Sequence, residues 1–136
     1  MYSKIPRGLR NNNPLNIRLS STPWQGKVIE NTDGAFEQFT SLEFGLRAAM
    51  VNIRTIIKRD HVDTIFGIIN KWAPERDGNN TKAYIEFVCN KIQLAQGTRI
   101  AYNDKNYICM LVWAMAMVEC GQEVSMGKIL NAWALI

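Results

Sequence analysis

Apolar residues recur at helical spacing through most of the chain beyond residue 40 and lose that spacing before it. Leu42, Leu46, Ala49, Ile53 and Ile56 fall on one face and predict a helix to about Lys58, with Thr40 and Glu43 fitting the capping box that would start it. A second helix over 63–72 carries Ile65, Ile68, Ile69 and Trp72 and stops before Pro74, which cannot continue it. The polar loop 74–80 leads into a third helix from Thr81 to about Leu94. Asp104 is placed to cap a fourth over 105–120, Gly121 stands where a left-handed terminal residue is wanted, and Ser125 caps a last helix with Leu130, Trp133 and Leu135. The fourth helix is apolar nearly all round from Ile108 to Val118, so it belongs in the middle of the domain, surrounded by the others.

Residues 1–40 have a different texture, with three of the four prolines and the run Asn11, Asn12, Asn13. The segments 15–18, 27–30 and 35–39 read as short strands, the last two joined by a turn whose Asp33-Gly34 step is a common hairpin signal. A ribbon this small needs helices to pack on. The expected architecture is therefore α+β, mostly α: a small N-terminal antiparallel β-ribbon packed on about five helices. It forms a single domain over 1–136, with arm and ribbon to residue 40 and a helical part over 41–136.

A length of 136 residues allows one ordinary core, and 47% hydrophobic with 21% charged residues excludes a solvated disordered chain or a protein of several membrane spans. The longest apolar run, 107–118, is too short to cross a bilayer, and the first residues lack an apolar signal core. The chain is thus expected to be made in a cytoplasm without a signal peptide and without membrane insertion. Cys89, Cys109 and Cys120 cannot all pair and show no CxxC spacing, which reads as reduced core thiols.

The net charge is +4, with a modest basic excess (Lys4, Arg7, Arg10, Arg18, Lys27) before the first acid at Glu30. This is either a solvated arm or a surface for an anionic partner. It is too sparse for the dense stripe of a nucleic-acid protein, so no nucleic acid is expected as partner; a DNA-binding helical protein would instead show binding that falls steeply with salt. His61, the only histidine, reads as a surface residue between two helices. With no acid or cysteine cluster near it, neither a metal site nor a cofactor is expected.

Glu119 is the candidate for chemistry. It ends a buried helix, where partial burial and the negative field of unpaired carbonyls both raise a carboxyl pKa, and a carboxyl protonated near neutrality can serve as a general acid. The same position also suits a glutamate at which the chain simply leaves the core. Among the other acids, Glu43 is occupied by its capping box, Glu37 alternates with Phe36 and faces solvent, and Glu75, Asp77 and Glu123 lie in polar loops. Asp33 is either a turn former or a second carboxylate. Asn13, Asn16, Arg18 and Trp24 near the ribbon, with Asn80 and Tyr84 around the third helix start, suit sugar recognition, since amides hydrogen-bond hydroxyls both ways and aromatic faces cover sugar rings. Turn, cap and core roles fit the same residues.

Taken together, Arg7-Gly8-Leu9-Arg10-Asn11-Asn12-Asn13-Pro14-Leu15-Asn16-Ile17-Arg18, Trp24-Gln25-Gly26, Phe36-Glu37-Gln38-Phe39, Gly45-Leu46-Arg47-Ala48-Ala49, Trp72-Ala73-Pro74, Asn79-Asn80-Thr81, Tyr84 and Glu119-Cys120-Gly121 resemble a family of phage and prophage structural and lytic virion proteins. Some members are muralytic, with a fold similar to lysozyme and lytic transglycosylases. In those enzymes an apolar helix ending in Glu-Ser-Gly comes before the Asn-Pro and Trp-x-Gly elements. Here no helix precedes those elements and Glu119-Cys120-Gly121 follows them, which the resemblance explains by a circularly permuted lysozyme-like domain.

The resemblance implies a peptidoglycan-cleaving enzyme, a lytic transglycosylase or muramidase, in which Glu119 serves as general acid and base. Asn13, Asn16, Arg18, Trp24, Asn80 and Tyr84 would meet the glycan, and Asp33 would be the second carboxylate if there is one. A transglycosylase needs only one carboxylate, and the lack of a convincing second acid points that way. The implied partners are peptidoglycan glycan strands and other virion proteins, with action at the cell wall or within a virion. The alternative is a non-catalytic structural or wall-binding protein on the same scaffold.

Overall fold

The computed structural model describes residues 5–136, so Lys4 of the basic excess lies outside the described residues. Six α-helices follow one another: α1 (Arg7–Arg10), α2 (Leu42–Asp60), α3 (Ile65–Trp72), α4 (Thr81–Ile92), α5 (Lys105–Cys120) and α6 (Met126–Trp133), with one 3-10 turn at Glu75–Asp77. As its apolar circumference demands, α5 is the central element. Ile108, Leu111, Val112, Ala114, Met115 and Ala116 are buried in it, and it touches α1, α2, α4 and α6. One hydrophobic core runs from Leu15 through α2, α3, α4 and α5 to Ala132.

Most helix starts follow side-chain chemistry. Asp104 accepts the Tyr107 N–H at 3.0 Å, Ser125 caps α6, and Gly121 takes the left-handed conformation (φ 73°) that closes α5. Two starts differ from expectation. Ser41, not Thr40, accepts the Phe44 N–H to start α2; the Thr40 N–H that a capping box would give to Glu43 goes to the Gly26 carbonyl, and Glu43 lies 3.8 Å from Lys128 on α6. The second helix starts at Ile65 with Thr64 as its cap.

The expected β-ribbon is absent: the described residues contain no strand and no sheet, and the N-terminal segments meet at isolated antiparallel bridges, Arg18 with Phe36 and Lys27 with Phe39. Asparagine and aspartate side chains take the place of a ladder. Asn13 accepts the Ile17 N–H at 2.9 Å and donates to the Ile17 and Glu37 carbonyls at 2.9 and 3.0 Å, while Asn12 donates to the Phe39 carbonyl. Asn12 (φ 52°) and Asn16 (φ 55°) are left-handed, which breaks any extended run between them. Asn31 and Asp33 accept the backbone N–H groups of residues 33–36.

Two further expectations are corrected here. Glu37 does not face solvent. It is fully buried, accepting from Lys27 Nζ at 3.0 Å and the Ser20 N–H at 3.1 Å, and Lys27 donates besides to the Ser20 and Thr22 carbonyls. A helix does precede the asparagine run: α1 is short, but Gly8 lets it close on the chain beyond. A Cβ at Gly8 would stand 3.0 Å from the Asn13 carbonyl oxygen and 3.3 Å from Cys120 Cβ. On the other side α2 presses the same segment so closely that a Cβ on Gly45 would overlap the Asn12 carbonyl oxygen at 1.7 Å.

Candidate functional site

Clamped between α1 and α2, the asparagine segment delivers Asn16 to the end of α5. Its Nδ2 donates to the Glu119 backbone carbonyl at 3.1 Å, satisfying one of the acceptors a helix terminus leaves open, and lies 3.2 Å from Glu119 Oε1. From α4, one turn after its Asn80 cap, the Tyr84 hydroxyl donates to Glu119 Oε2 at 3.0 Å. Each carboxyl oxygen of Glu119 thus has a protein donor.

Burial pushes the Glu119 carboxyl above the usual carboxylate range; Asn16, Tyr84 and the Trp72 indole oppose that shift without cancelling it. The Tyr84 hydroxyl is pushed well up, first by burial and then by the charge of Glu119, so it stays a donor. The result is a carboxyl group that holds its proton to higher pH than an exposed glutamate and whose position is fixed from two sides.

Glu119 lines an open cleft of about 710 Å³ between the N-terminal segment, α2 and the end of α3. Asn16, Arg18 and Trp24, expected to meet a ligand, line it with Glu119. Arg18 is exposed and lies over the Phe36 ring at 5.5 Å. The other expected residues stand elsewhere. Tyr84 is 5% exposed and reaches the acid from behind; Asn13 is fully buried in the backbone network already described; Asn80 caps α4 through the Ala83 N–H, and its neighbour Asn79 lines the cleft instead.

Asp33 does not line the cleft. Arg7 grips it through Nε at 2.7 Å and Nη2 at 2.6 Å, Asn11 adds a bond at 3.0 Å, and these donors hold its carboxyl well below the usual carboxylate range. The acids that do share the cleft with Glu119 are Asp60 and Asp77. Asp60 ends α2 between Arg59 at 2.9 Å and Lys71 at 3.4 Å, and Arg59 above all keeps it ionised. Neither Trp72 nor Asp60 is singled out as a site residue in the sequence, where Trp72 reads as the last residue of a helix that stops before Pro74. Nothing local in the sequence marks either as facing Glu119.

The cysteines are unpaired, with Cys109 and Cys120 buried and Cys89 half-buried, and burial raises all three thiols. Among the described residues no three of the His, Cys, Asp and Glu side chains come together as a metal set, and no helix is long and apolar enough to cross a membrane.

No protein-family model matches the chain. Protein P5 of Pseudoalteromonas phage PM2 is 40% identical to it over 124 residues, which cover 89% of this chain and 75% of that protein. On a likeness of that extent the chain belongs to the phage protein family of which Protein P5 is a member.

Proposed function

We propose that the protein is a phage enzyme that cleaves the glycan strands of peptidoglycan, with Glu119 as its general acid and base. The observation that carries this reading is the setting of Glu119: a carboxyl with a raised pKa, fixed by Asn16 and Tyr84, on the wall of an open cleft that also presents Arg18, Trp24 and Asn79. Protonated Glu119 gives its proton to the glycosidic oxygen between N-acetylmuramic acid and N-acetylglucosamine as that bond breaks. The resulting carboxylate then takes a proton from the sugar's own 6-hydroxyl, giving a 1,6-anhydro end, or from water, giving a reducing end. Asn16 and Tyr84 stabilise that carboxylate once it forms, because both donate to it.

The test is the release of soluble muropeptides from purified sacculi by the wild-type protein and by Glu119→Gln. Release by the first and none by the folded second is the expected result; full release by Glu119→Gln overturns the assignment. A second reading, a non-catalytic phage structural or wall-binding protein, is favoured by one observation: Asp33, the expected second carboxylate, is tied to Arg7 away from the cleft. A zymogram on peptidoglycan without clearing, from a protein that still sediments with sacculi, decides for it.

A further inference from the structure

Beside the cleft, on the neighbouring face of α2, lies a second groove of about 410 Å³ lined by Val51, Arg54, Thr55, Lys58, Arg59 and Tyr102. We propose that this groove binds the carboxylates of the peptide stems that a peptidoglycan strand carries, a second anchoring point for the polymer whose sugars occupy the cleft. The proposal rests on the glycan-cleaving reading above.

The groove is cationic by construction. Arg54, Lys58 and Arg59 supply three positive charges, and no carboxylate lines it. Among the described residues neither Arg54 nor Lys58 is within ion-pair distance of an acid; Arg59 reaches Asp60 at 2.9 Å. The cations are also held in place. Arg54 Nε donates to the Tyr102 carbonyl at 2.9 Å, its guanidinium lies over the Tyr102 ring at 5.4 Å and the Trp133 ring at 5.6 Å, and Lys58 Nζ sits 4.8 Å from the Tyr102 centroid. With Nε engaged, both terminal nitrogens of Arg54 remain to grip a planar carboxylate side by side.

Position points to the occupant. Arg59 lines both the groove and the cleft, and Asn52 and Ile56 on the cleft side alternate along α2 with Val51 and Thr55 on the groove side. A ligand extending from the cleft over α2 therefore meets the three cations next. In peptidoglycan the sugars are largely neutral and the negative charge sits on the stems that branch from muramic acid. A strand seated in the cleft sends its acidic branches outward, toward such a groove. Charge complementarity along one continuous surface thus favours the stem over a separate polyanion.

The experiment measures sedimentation with two insoluble polymers: intact sacculi from a bacterium without wall phosphate polymers, and the same sacculi with their stem carboxylates converted to neutral amides by carbodiimide coupling to methylamine. Glu119→Gln serves as the parent, so that binding is read without turnover, and is compared with the same protein carrying Lys58→Gln alone or Arg54→Gln with Lys58→Gln. These side chains lie at the surface, and thermal melts matching the parent separate a binding loss from a folding loss. Removing two cations is expected to weaken binding to intact sacculi about tenfold, with the single variant in between, and to leave binding to the amidated sacculi unchanged. Equal binding of parent and variants to intact sacculi, or an equal loss on both polymers, overturns the stem site while leaving the cleft reading in place. Displacement of the parent from intact sacculi by a short DNA duplex but not by free stem peptide also overturns it, in favour of a phosphate polymer. Failure of the parent to bind either polymer overturns the glycan reading itself and the stem site with it.

Discussion

The Tyr84 hydroxyl donates to Glu119 Oε2 at 3.0 Å, from a side chain that is 5% exposed. A donor of this kind favours the charged form of the carboxyl, so its removal moves the group further in the direction burial already pushes it. Tyr84→Phe is therefore expected to raise the pH at which Glu119 loses its proton, which carbon-13 carboxyl titration would read directly. If the protein cleaves glycans, the alkaline limb of its pH–rate profile moves up by the same amount, because the general acid stays protonated longer. An unmoved or lowered titration in a folded variant would count against the bond.

Replacing the acid itself has a stability consequence with a definite sign. A carboxyl whose folded pKa lies above its unfolded value contributes its full stability below the unfolded value and loses it as pH rises through the folded one. Glu119→Gln removes that loss. The variant is expected to match the wild type in thermal melts near pH 4 and to melt higher than it at pH 8. A variant less stable at pH 8 than at pH 4, relative to wild type, contradicts the burial argument.

Asp33 carries the opposite sign. Its carboxyl is held low by Arg7 and Asn11, so its contribution is present above the ordinary carboxylate value and is lost as pH falls from there toward its depressed folded value. Asp33→Asn should lower the melting temperature at pH 7, and the gap to wild type should narrow progressively below about pH 4. A gap constant with pH would mean that the ion pair with Arg7 contributes nothing.

Two glycine replacements test the clamp on the asparagine segment. Gly45→Ala places a Cβ 1.7 Å from the Asn12 carbonyl oxygen, backbone against backbone, and is expected to cost about 3 kcal/mol or more in denaturant melts. In α6, Gly127→Ala meets nothing nearer than the Ser125 hydroxyl oxygen at 3.4 Å and should be neutral or slightly stabilising. Similar losses at both positions would argue that the α2 approach is looser than its geometry.

The buried pair of Lys27 and Glu37 offers a further check. Lys27→Met leaves a carboxylate that is fully buried with one oxygen already unpartnered, a situation that typically costs 3–5 kcal/mol. Adding Glu37→Leu should recover most of that loss. Additive losses in the double variant would show that each residue acts through packing alone.

The helices were legible because their signals are local. The all-round apolarity of α5, the Asp104 and Ser125 caps and Gly121 each depend on neighbours a few residues away, and Glu119 stands out in the sequence on the same basis. The N-terminal segment was misread because alternation in 15–18 and 35–39 looks like pairing, whereas Asn12, Asn13 and Asn16 decide the path through left-handed turns and side-chain bonds that no periodicity reports. Glu37 was placed in solvent by that same alternation. Of the expected glycan contacts, Asn16, Arg18 and Trp24 reached the cleft, whereas Asn13 and Asn80 serve the backbone. Neither Trp72 nor Asp60 is marked in the sequence, because they share a cleft wall with Glu119 only once the ends of α2, α3 and α5 are brought together.

Asn16 and Glu119 are 103 residues apart in the chain, and their two hydrogen bonds close the ends of the fold on each other. During synthesis, therefore, residues 5–100, Asn16 among them, can emerge and begin to order before the acid and its helix exist. A ribosome-bound fragment that stops short of α5 carries most of the cleft wall and lacks Glu119. Contacts of such long range also come late and slowly in folding. Whatever Glu119 does is acquired by the chain as a whole, at the end of its making.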